Sequence, residues 1–401
     1  MALVIGLNSG SSFDGMDAVL IDIELGEDGY PNRPRFIDGL AYQWPEAIAG
    51  RVLEAFANKV SIFELTRLHY EAGAVYAEAA RELMRRNGLS GTDVEVIGFD
   101  GQTIYQEPPK HELLDQASRD SIVDLWHSGI YGCGLQIGEQ SVVSAFCDAP
   151  TVSHFRTLDH ALGGTGAPLM QFLDFCAFRD IGPVMTLNIG GIANCQLADA
   201  DRDRMMAFDT GPGNVMIDHA MRRLYKEGYD RDGATAARGK VNEPMLGELL
   251  SHPFFQRKPP RSAWRLDFGA DYAESFMDKY QELPGEDLVA TFTRFTALAI
   301  LRSIRDNVST FSGIKEVIAS GGGVLNATLM DQLAELFREE GVELVTSDKY
   351  GIPPQFKEAI KFGTLAYANI NNLASNIPAA SGAKSFATLG KLVKAPRQTK
   401  A

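Results

Sequence analysis

The 401-residue chain has only four cysteines, Cys133, Cys147, Cys176 and Cys195, widely spaced and without a CxxC pair. A disulfide framework is therefore not expected, and reduced thiols point to a cytoplasmic setting. The histidines show no HExxH or similar spacing, so a structural zinc is not expected either. No apolar run approaches the roughly 18 residues of a spanning helix, and no cationic then apolar leader opens the chain. A soluble protein with no membrane partner is the expectation. Positive charge is scarce as well: 38 Lys and Arg stand against 52 Asp and Glu, a formal net charge of -14. That balance repels a polyphosphate strand, so nucleic acid is not an expected partner, although backbone amides can still hold a small anion. The phosphate-binding sequence GxxxxGK[ST] is missing, and so is a protein-kinase HRD and DFG set.

What the chain does have is alternation of strands and helices. Leu3 to Asn8 is an apolar, β-branched run, Ser9 to Gly15 turns it, and Ala18 to Ile23 runs back, which reads as a hairpin. Val184 to Ile189, Gly190 to Asn194 and Cys195 to Leu197 repeat the plan, so a duplicated domain is expected. Between the two copies, Ser61 and Glu64 form a capping-box pattern. Leu65, Leu68, Ala72, Val75, Ala79 and Leu83 then keep a helical stripe that Gly88 closes. Val94 to Phe99 reads as a strand, as does Glu316 to Ala319, which runs into Ser320 and Gly321 to Gly323 before a helix from about Ala327 to Glu340. This pattern gives an α/β fold with helices packed on mixed sheets. The basic end from Lys391 onward reads as frayed.

Four turns carry the chemistry. In the first hairpin, small residues let backbone amides approach a phosphate and Asp14 can hold Mg²⁺, although an ordinary polar turn uses the same residues. The second hairpin loop has the same two readings. Phe208 to Asn214 follows a strand and opens a helix from Val215, offering amides to an anion and Asp209 to a metal. Gly321, Gly322 and Gly323 give bare backbone against which an adenosine could lie, or else allow close helix packing. Together the four turns describe the ATP cleft of an actin-like fold.

Along nearly its whole length the chain resembles the anhydro-N-acetylmuramic acid kinases and, in several segments more closely, the fungal levoglucosan kinases. The matching stretches are Gly6 to Asp17, Gly101 to Thr103, Leu135 to Glu139, Asp159 to Pro168, Asn188 to Asn194, Phe208 to Asn214 and Ser320 to Gly323. The resemblance implies an actin-like (ribonuclease H-like) duplicated two-domain ATPase fold, with domains at 1–135, completed by about 363–401, and at 136–362. It implies a homodimer. It also implies a reaction in which water opens a 1,6-anhydro bridge while the sugar O6 takes the γ-phosphate of ATP with Mg²⁺. On this resemblance Asp159 is the general base for that water, where an isolated Asp would read as a helix cap. Ser9, Gly10, Ser11, Ser12, Asp14, Gly190, Gly191, Asn194, Gly211, Gly213, Asn214, Gly321, Gly322 and Gly323 would bind ATP and its phosphates. Asp14 and Asp209 would serve the metal, and Asn8, Asp100, Arg156 and Glu358 the sugar, with Glu139 a weaker candidate.

Departures from the family pattern cluster on the sugar side. Asp100 stands where the family has His in Ser-His-Gly-Gln-Thr, His154 where it has Asp before Phe-Arg, and Thr165 where it has Gln. Trp264 falls in place of a glycine, and Arg294 where muramic-type members carry Glu. Arg294 and Asn8 lean towards levoglucosan, and a bulky Trp264 would crowd a lactyl or N-acetyl group. A conventional small-sugar kinase without ring opening, or a catalytically silent sugar or nucleotide sensor, would use the same cleft.

Overall fold

Val4, Ile5 and Leu7 are all fully buried, so the opening strand carries apolar side chains on both faces, as a strand covered from both sides must. The computed structural model describes residues 2–10, 13, 15–114, 121–259, 261–263 and 265–396. The expectations for Ser11, Ser12, Asp14 and Trp264 fall outside the described residues.

The strands, in chain order, are β1 (Ala2–Asn8), β2 (Met16–Ile23), β3 (Arg35–Tyr42), β4 (Val96–Phe99), β5 (Gln102–Glu107), β6 (Cys133–Ile137), β7 (Thr151–Ser153), β8 (Val184–Ile189), β9 (Ile192–Ala198), β10 (Met206–Pro212), β11 (Glu316–Ser320), β12 (Glu343–Thr346) and β13 (Lys391–Val393). They form a six-stranded sheet ordered β13-β7-β4-β1-β2-β3, a five-stranded sheet ordered β10-β9-β8-β11-β12, and the β5-β6 pair. In the first large sheet β1 is antiparallel to β2 and parallel to β4. In the second, β8 is antiparallel to β9 and parallel to β11. An antiparallel run of three strands followed by two parallel ones therefore occurs twice, which is the duplicated α/β plan of the actin-like fold.

The chain divides into two compact units, one of Met1–Ala177, Asp201–Asp203 and Phe356–Ala401, the other of Phe178–Ala200 and Arg204–Gln355. The expected boundary at 135/136 is too early, because β7 pairs with β4 and so belongs to the first sheet. The expected resumption at 363 is too late, because the whole Lys357–Ile370 helix packs in the first unit. The end of the chain is also less frayed than expected: Lys391–Val393 pairs antiparallel with β7.

In the first unit the Ile62–Arg86 helix has its capping box formed by Ser61 and Glu64, worth about 1 kcal/mol. It buries Leu68, Ala72, Val75, Ala79 and Leu83 in one core with Ile5, Leu7 and Ile97. The Lys357–Ile370 helix lies against β1 and β4. A Cβ on Gly6 would come 2.0 Å from the Ala359 carbonyl oxygen, and one on Gly98 would come 2.1 Å from that of Phe362. Gly6 and Gly98 are register partners on neighbouring strands, so the pair clears the groove in which this helix runs.

In the second unit Leu187, Ile189, Cys195 and Phe208 meet Ala297, Ile300 and Ile304 of the long Gly285–Asn307 helix and Leu329, Leu333 and Phe337 of the Ala327–Glu339 helix. All four cysteines are free thiols, three of them buried. Among the described residues no helix is long and apolar enough to cross a membrane.

Candidate active site

The close approach at Gly6 sets the start of the Lys357–Ile370 helix beside the end of β1. The amide of Asn8 donates to Glu358 Oε2 at 3.2 Å. One helical turn on, Lys361 Nζ lies 4.0 Å from the same Glu358 oxygen, with the Lys361 side chain only 8% exposed and that of Glu358 38% exposed. Burial pushes the Lys361 ammonium below its ordinary value, against the pull of Glu358 and Asp100. Lys361 is a residue that sequence reasoning missed, although its spacing of three from Glu358 on one helix face was a usable signal.

Asp100 follows β4 and is almost wholly buried. One carboxylate oxygen accepts the backbone N–H of Phe155 at 3.1 Å and the other accepts Arg156 Nε in a short ion pair. Arg156 also donates to the Gly166 carbonyl at 3.2 Å. The Gly166 N–H in turn donates to Asp159 Oδ2 at 2.8 Å, so a continuous chain of polar contacts links Asp100, Arg156, Gly166 and Asp159.

Asp159 lies inside the Arg156–Ala161 helix rather than at its N-cap, which is Phe155. None of its side-chain bonds goes to an amide of that helix's first turn, so the capping role open to an isolated Asp is not the one it plays here. Its Oδ1 accepts Ser381 Oγ at 2.9 Å and Asn376 Nδ2 at 3.4 Å, and the carboxylate is 1% exposed. Ser381 and Asn376 were invisible as partners in the sequence, since each lies more than two hundred residues away. A carboxylate offers about four lone-pair positions, and Oδ2 carries one donor, which leaves it an unused acceptor position.

Asn8, Asp100, Arg156, Asp159 and Glu358 are therefore brought together in the first unit. Ser9 is too, but its hydroxyl faces inward: it lies 2.6 Å from Gln102 Oε1 and 3.1 Å from the Gly15 carbonyl, and accepts Trp44 Nε1 at 3.1 Å. Only its backbone is left to meet a phosphate. Gly10 takes Gln102 Nε2 on its carbonyl. Glu139 has a structural place, capping the Gln140–Cys147 helix through the Ser141 N–H and pairing with His69.

The second unit corrects two expectations. The loop after β8 is a two-residue turn, Gly190 and Gly191, and Asn194 is a β9 residue in register with Asn188 and Asp209. Its side-chain oxygen accepts Gln196 Nε2 at 2.6 Å. The turn after β10 does not present a row of open amides either. The N–H groups of Gly213, Asn214 and Val215 donate to the carbonyls of Gly191, Gly190 and Gly191 at 2.9, 2.8 and 3.0 Å. Glycine at 213 permits that closure, because a Cβ would stand 2.2 Å from the Gly190 carbonyl oxygen. Gly211 sits at a β-bulge with φ of 137°.

Of the three consecutive glycines, only Gly321 has a positive φ, at 85°. Gly323 is needed for packing, since a Cβ there would lie 2.2 Å from Ile189 Cγ2, while Gly322 faces open space. Asp209 accepts the Ala263 N–H at 2.7 Å on Oδ2. Enclosure pushes its carboxyl up to about 6, against the pull of that amide and of the Arg261 guanidinium. Among the described residues no group of three or more His, Cys, Asp or Glu could hold a metal by itself. Mg²⁺ commonly takes only one or two carboxylates and completes its shell with water and substrate phosphates, so a single enclosed Asp209 with an oxygen to spare fits that ion.

The sequence profile of the anhydro-N-acetylmuramic acid kinase family matches residues 2–395. The chain belongs to this family. Membership makes it an enzyme, a phosphotransferase with an alcohol group as acceptor. It is 36% identical over 392 residues to the anhydro-N-acetylmuramic acid kinase of Francisella tularensis subsp. novicida, covering 97% of each chain. With that of Caldanaerobacter subterraneus subsp. tengcongensis it shares 34% over 398 residues, covering 97% of this chain and 96% of the relative. Among solved structures, component A of the (R)-2-hydroxyglutaryl-CoA dehydratase of Acidaminococcus fermentans is similar with a TM-score of 0.43 at 12% identity, covering 92% of this chain and 98% of that one.

Proposed function

We propose that the protein transfers the γ-phosphoryl group of ATP to O6 of a 1,6-anhydro sugar while water opens the anhydro bridge. The observation that carries this reading is Asp159: a buried carboxylate fixed by Ser381 and Gly166, with an acceptor position left on Oδ2, and joined by hydrogen bonds to the Asp100–Arg156 pair. As general base, Asp159 takes a proton from the water as its oxygen bonds to C1; the C1–O6 bond breaks and O6 becomes the acceptor of the phosphoryl group. Asn8, Glu358, Asp100 and Arg156 are the sugar-side groups, and Lys361 adds a cation beside Glu358. The Gly190–Gly191 turn, Gly211 to Asn214 and Gly321 to Gly323 are the ATP-side elements. Asp209 would hold Mg²⁺, which would supply neutralisation of phosphate charge.

Within this class the reading favours an unsubstituted anhydrohexose such as levoglucosan. The Arg156 guanidinium, the cation nearest Asp159 along the hydrogen-bonded chain, is engaged by Asp100 and the Gly166 carbonyl. It is thereby a weak partner for the carboxylate of a lactyl group, and Arg294 and Trp264 point the same way in sequence. A panel of anhydro and reducing sugars with MgATP, read by product mass, tests both levels. Transfer accompanied by one water is expected. Transfer without water would replace the ring-opening reading with an ordinary sugar kinase, and a higher kcat/KM for anhydro-N-acetylmuramic acid would overturn the preference.

A further inference from the structure

The first unit contains a small cavity lined by Asp159, by its Oδ1 partners Asn376 and Ser381, and by Gln171 and Ser375, together with Pro168, Leu169, Phe172 and Ile377. Its volume of about 10 Å³ is the room of a one-water site, and five of its nine lining residues are polar. Dry cavities in proteins are apolar, whereas roomy polar ones hold water. A second observation is independent of the cavity's shape. Gln171, in the first turn of the Met170–Phe178 helix, is 3% exposed, and its Nε2 has no hydrogen-bond partner among the described residues. A buried amide N–H without an acceptor is a cost that folded proteins rarely leave unmet.

We infer that one ordered water occupies this cavity and bridges Gln171 Nε2 to Asp159 Oδ1, making Gln171 a positioning residue for the carboxylate. The water accepts from the amide and donates to Oδ1, which the 3.4 Å Asn376 contact leaves incompletely satisfied. Ser375 and Ser381 are at hand for its remaining bonds. Oδ1 is then fixed, and the open position on Oδ2, beside Gly166, keeps a constant direction towards the substrate water. This water is distinct from the one consumed in the reaction: it lies among Oδ1 partners and never leaves. The inference rests on Asp159 being the general base.

The arrangement is tested on the full chain. A donor to a carboxylate favours its charged form, so removing Gln171 and its water should make Asp159 easier to protonate. In the Gln171→Met variant, with levoglucosan or anhydro-N-acetylmuramic acid and MgATP, the acid limb of the kcat–pH profile should move up by about half to one pH unit. A merely structural role would lower thermal stability and leave the limb where it was, which overturns the inference. A high-resolution crystal structure of the wild-type protein should show the water within hydrogen-bond distance of both Gln171 Nε2 and Asp159 Oδ1. A dry cavity overturns the inference even if the variant fails to fold. Asp159→Asn in the same assay separates the two levels: if it still turns over, the base reading falls and takes this inference with it. If it is inactive while the Met profile is unmoved, only the bridging water falls.

Discussion

The two units share a strand order and use it in opposite ways. In the first, the segments that follow β4 and β7 and the start of the Lys357–Ile370 helix carry charges: Asp100, Arg156, Glu358 and Lys361, with Asp159 bonded into the same network. In the second, the corresponding turns carry glycines, and backbone touches backbone where Gly213 meets Gly190 and Gly321 meets Ile189. On the proposed reading, a duplicated scaffold is divided between side-chain acid–base chemistry and main-chain shape. Substitutions should separate accordingly, with charge changes in the first unit altering turnover and volume changes in the second altering packing and nucleotide affinity.

The largest expected effect is on turnover. Asp159→Asn keeps the size of the side chain and one acceptor oxygen but removes its basicity, and loss of a general base typically costs about 10²- to 10⁴-fold in kcat. Nucleotide affinity, read by calorimetry, should stay within a few fold. Retention of more than about a tenth of wild-type kcat would erase the division of labour. Next in size is Asp100→Ala, which strands the largely buried Arg156 guanidinium and the Phe155 N–H. Removing one partner of a buried pair costs about 3–5 kcal/mol, so the urea midpoint should fall clearly; an unchanged midpoint would show that water replaces the carboxylate at no cost.

The second unit is probed by neighbouring glycines. Gly323→Ala puts a methyl 2.2 Å from Ile189 Cγ2 and should destabilise by about 1–3 kcal/mol, the usual scale of overpacking. Gly322→Ala faces open space and should leave the denaturation midpoint near wild type. Equal effects at the two positions would mean that the turn is set by something other than close packing.

Mild acid gives the smallest effect. Burial lowers the pKa of His154 and His160 in the first unit and of His252 in the second. A histidine with a depressed folded pKa contributes stability that is complete above its unfolded value, about 6.5. That stability is lost as pH falls through the folded value. The melting temperature should therefore decline from pH 7 to pH 5.5, and amide protection, taken relative to the intrinsic exchange rate at each pH, should fall more in the first unit, which holds two of the three. The raised Asp209 carboxyl works the other way over the same range, so a flat profile in an Asp209→Asn background would rule out net burial of neutral imidazoles.

Local signals served the fold well. The Ser61–Glu64 capping box, the β8 strand and the helix after Asn326 all formed where pattern and cap placed them, because each depends on neighbours a few residues apart. The domain boundary did not, since it is drawn by the pairing of β7 with β4 and of β13 with β7, contacts that no window on the sequence can contain. The same limit applied to the site. Asp159 was singled out in sequence by its flanking motif, whereas Ser381, Asn376 and Gln171 are ordinary polar residues until the chain brings them to one carboxylate. The glycine turns were located correctly but misread in part: amides expected to be open at residues 213 to 215 are engaged by the preceding turn, a close approach that glycine permits and composition cannot reveal.

The first unit has consequences for how the protein is made. Its sheet is flanked by a helix beginning at Lys357 and ended by a strand at Lys391–Val393, while residues 178–200 and 204–355 belong to the other unit. During synthesis the groove over Gly6 and Gly98 therefore emerges early and stays empty until nearly the whole chain has left the ribosome. The second unit, almost continuous in sequence, can fold while the first still waits. The half of the molecule that holds Asp100, Arg156 and Asp159 is begun first and finished last, so a ribosome stalled once residue 355 has cleared the exit tunnel would display a folded second unit and an open, apolar, unfinished first one.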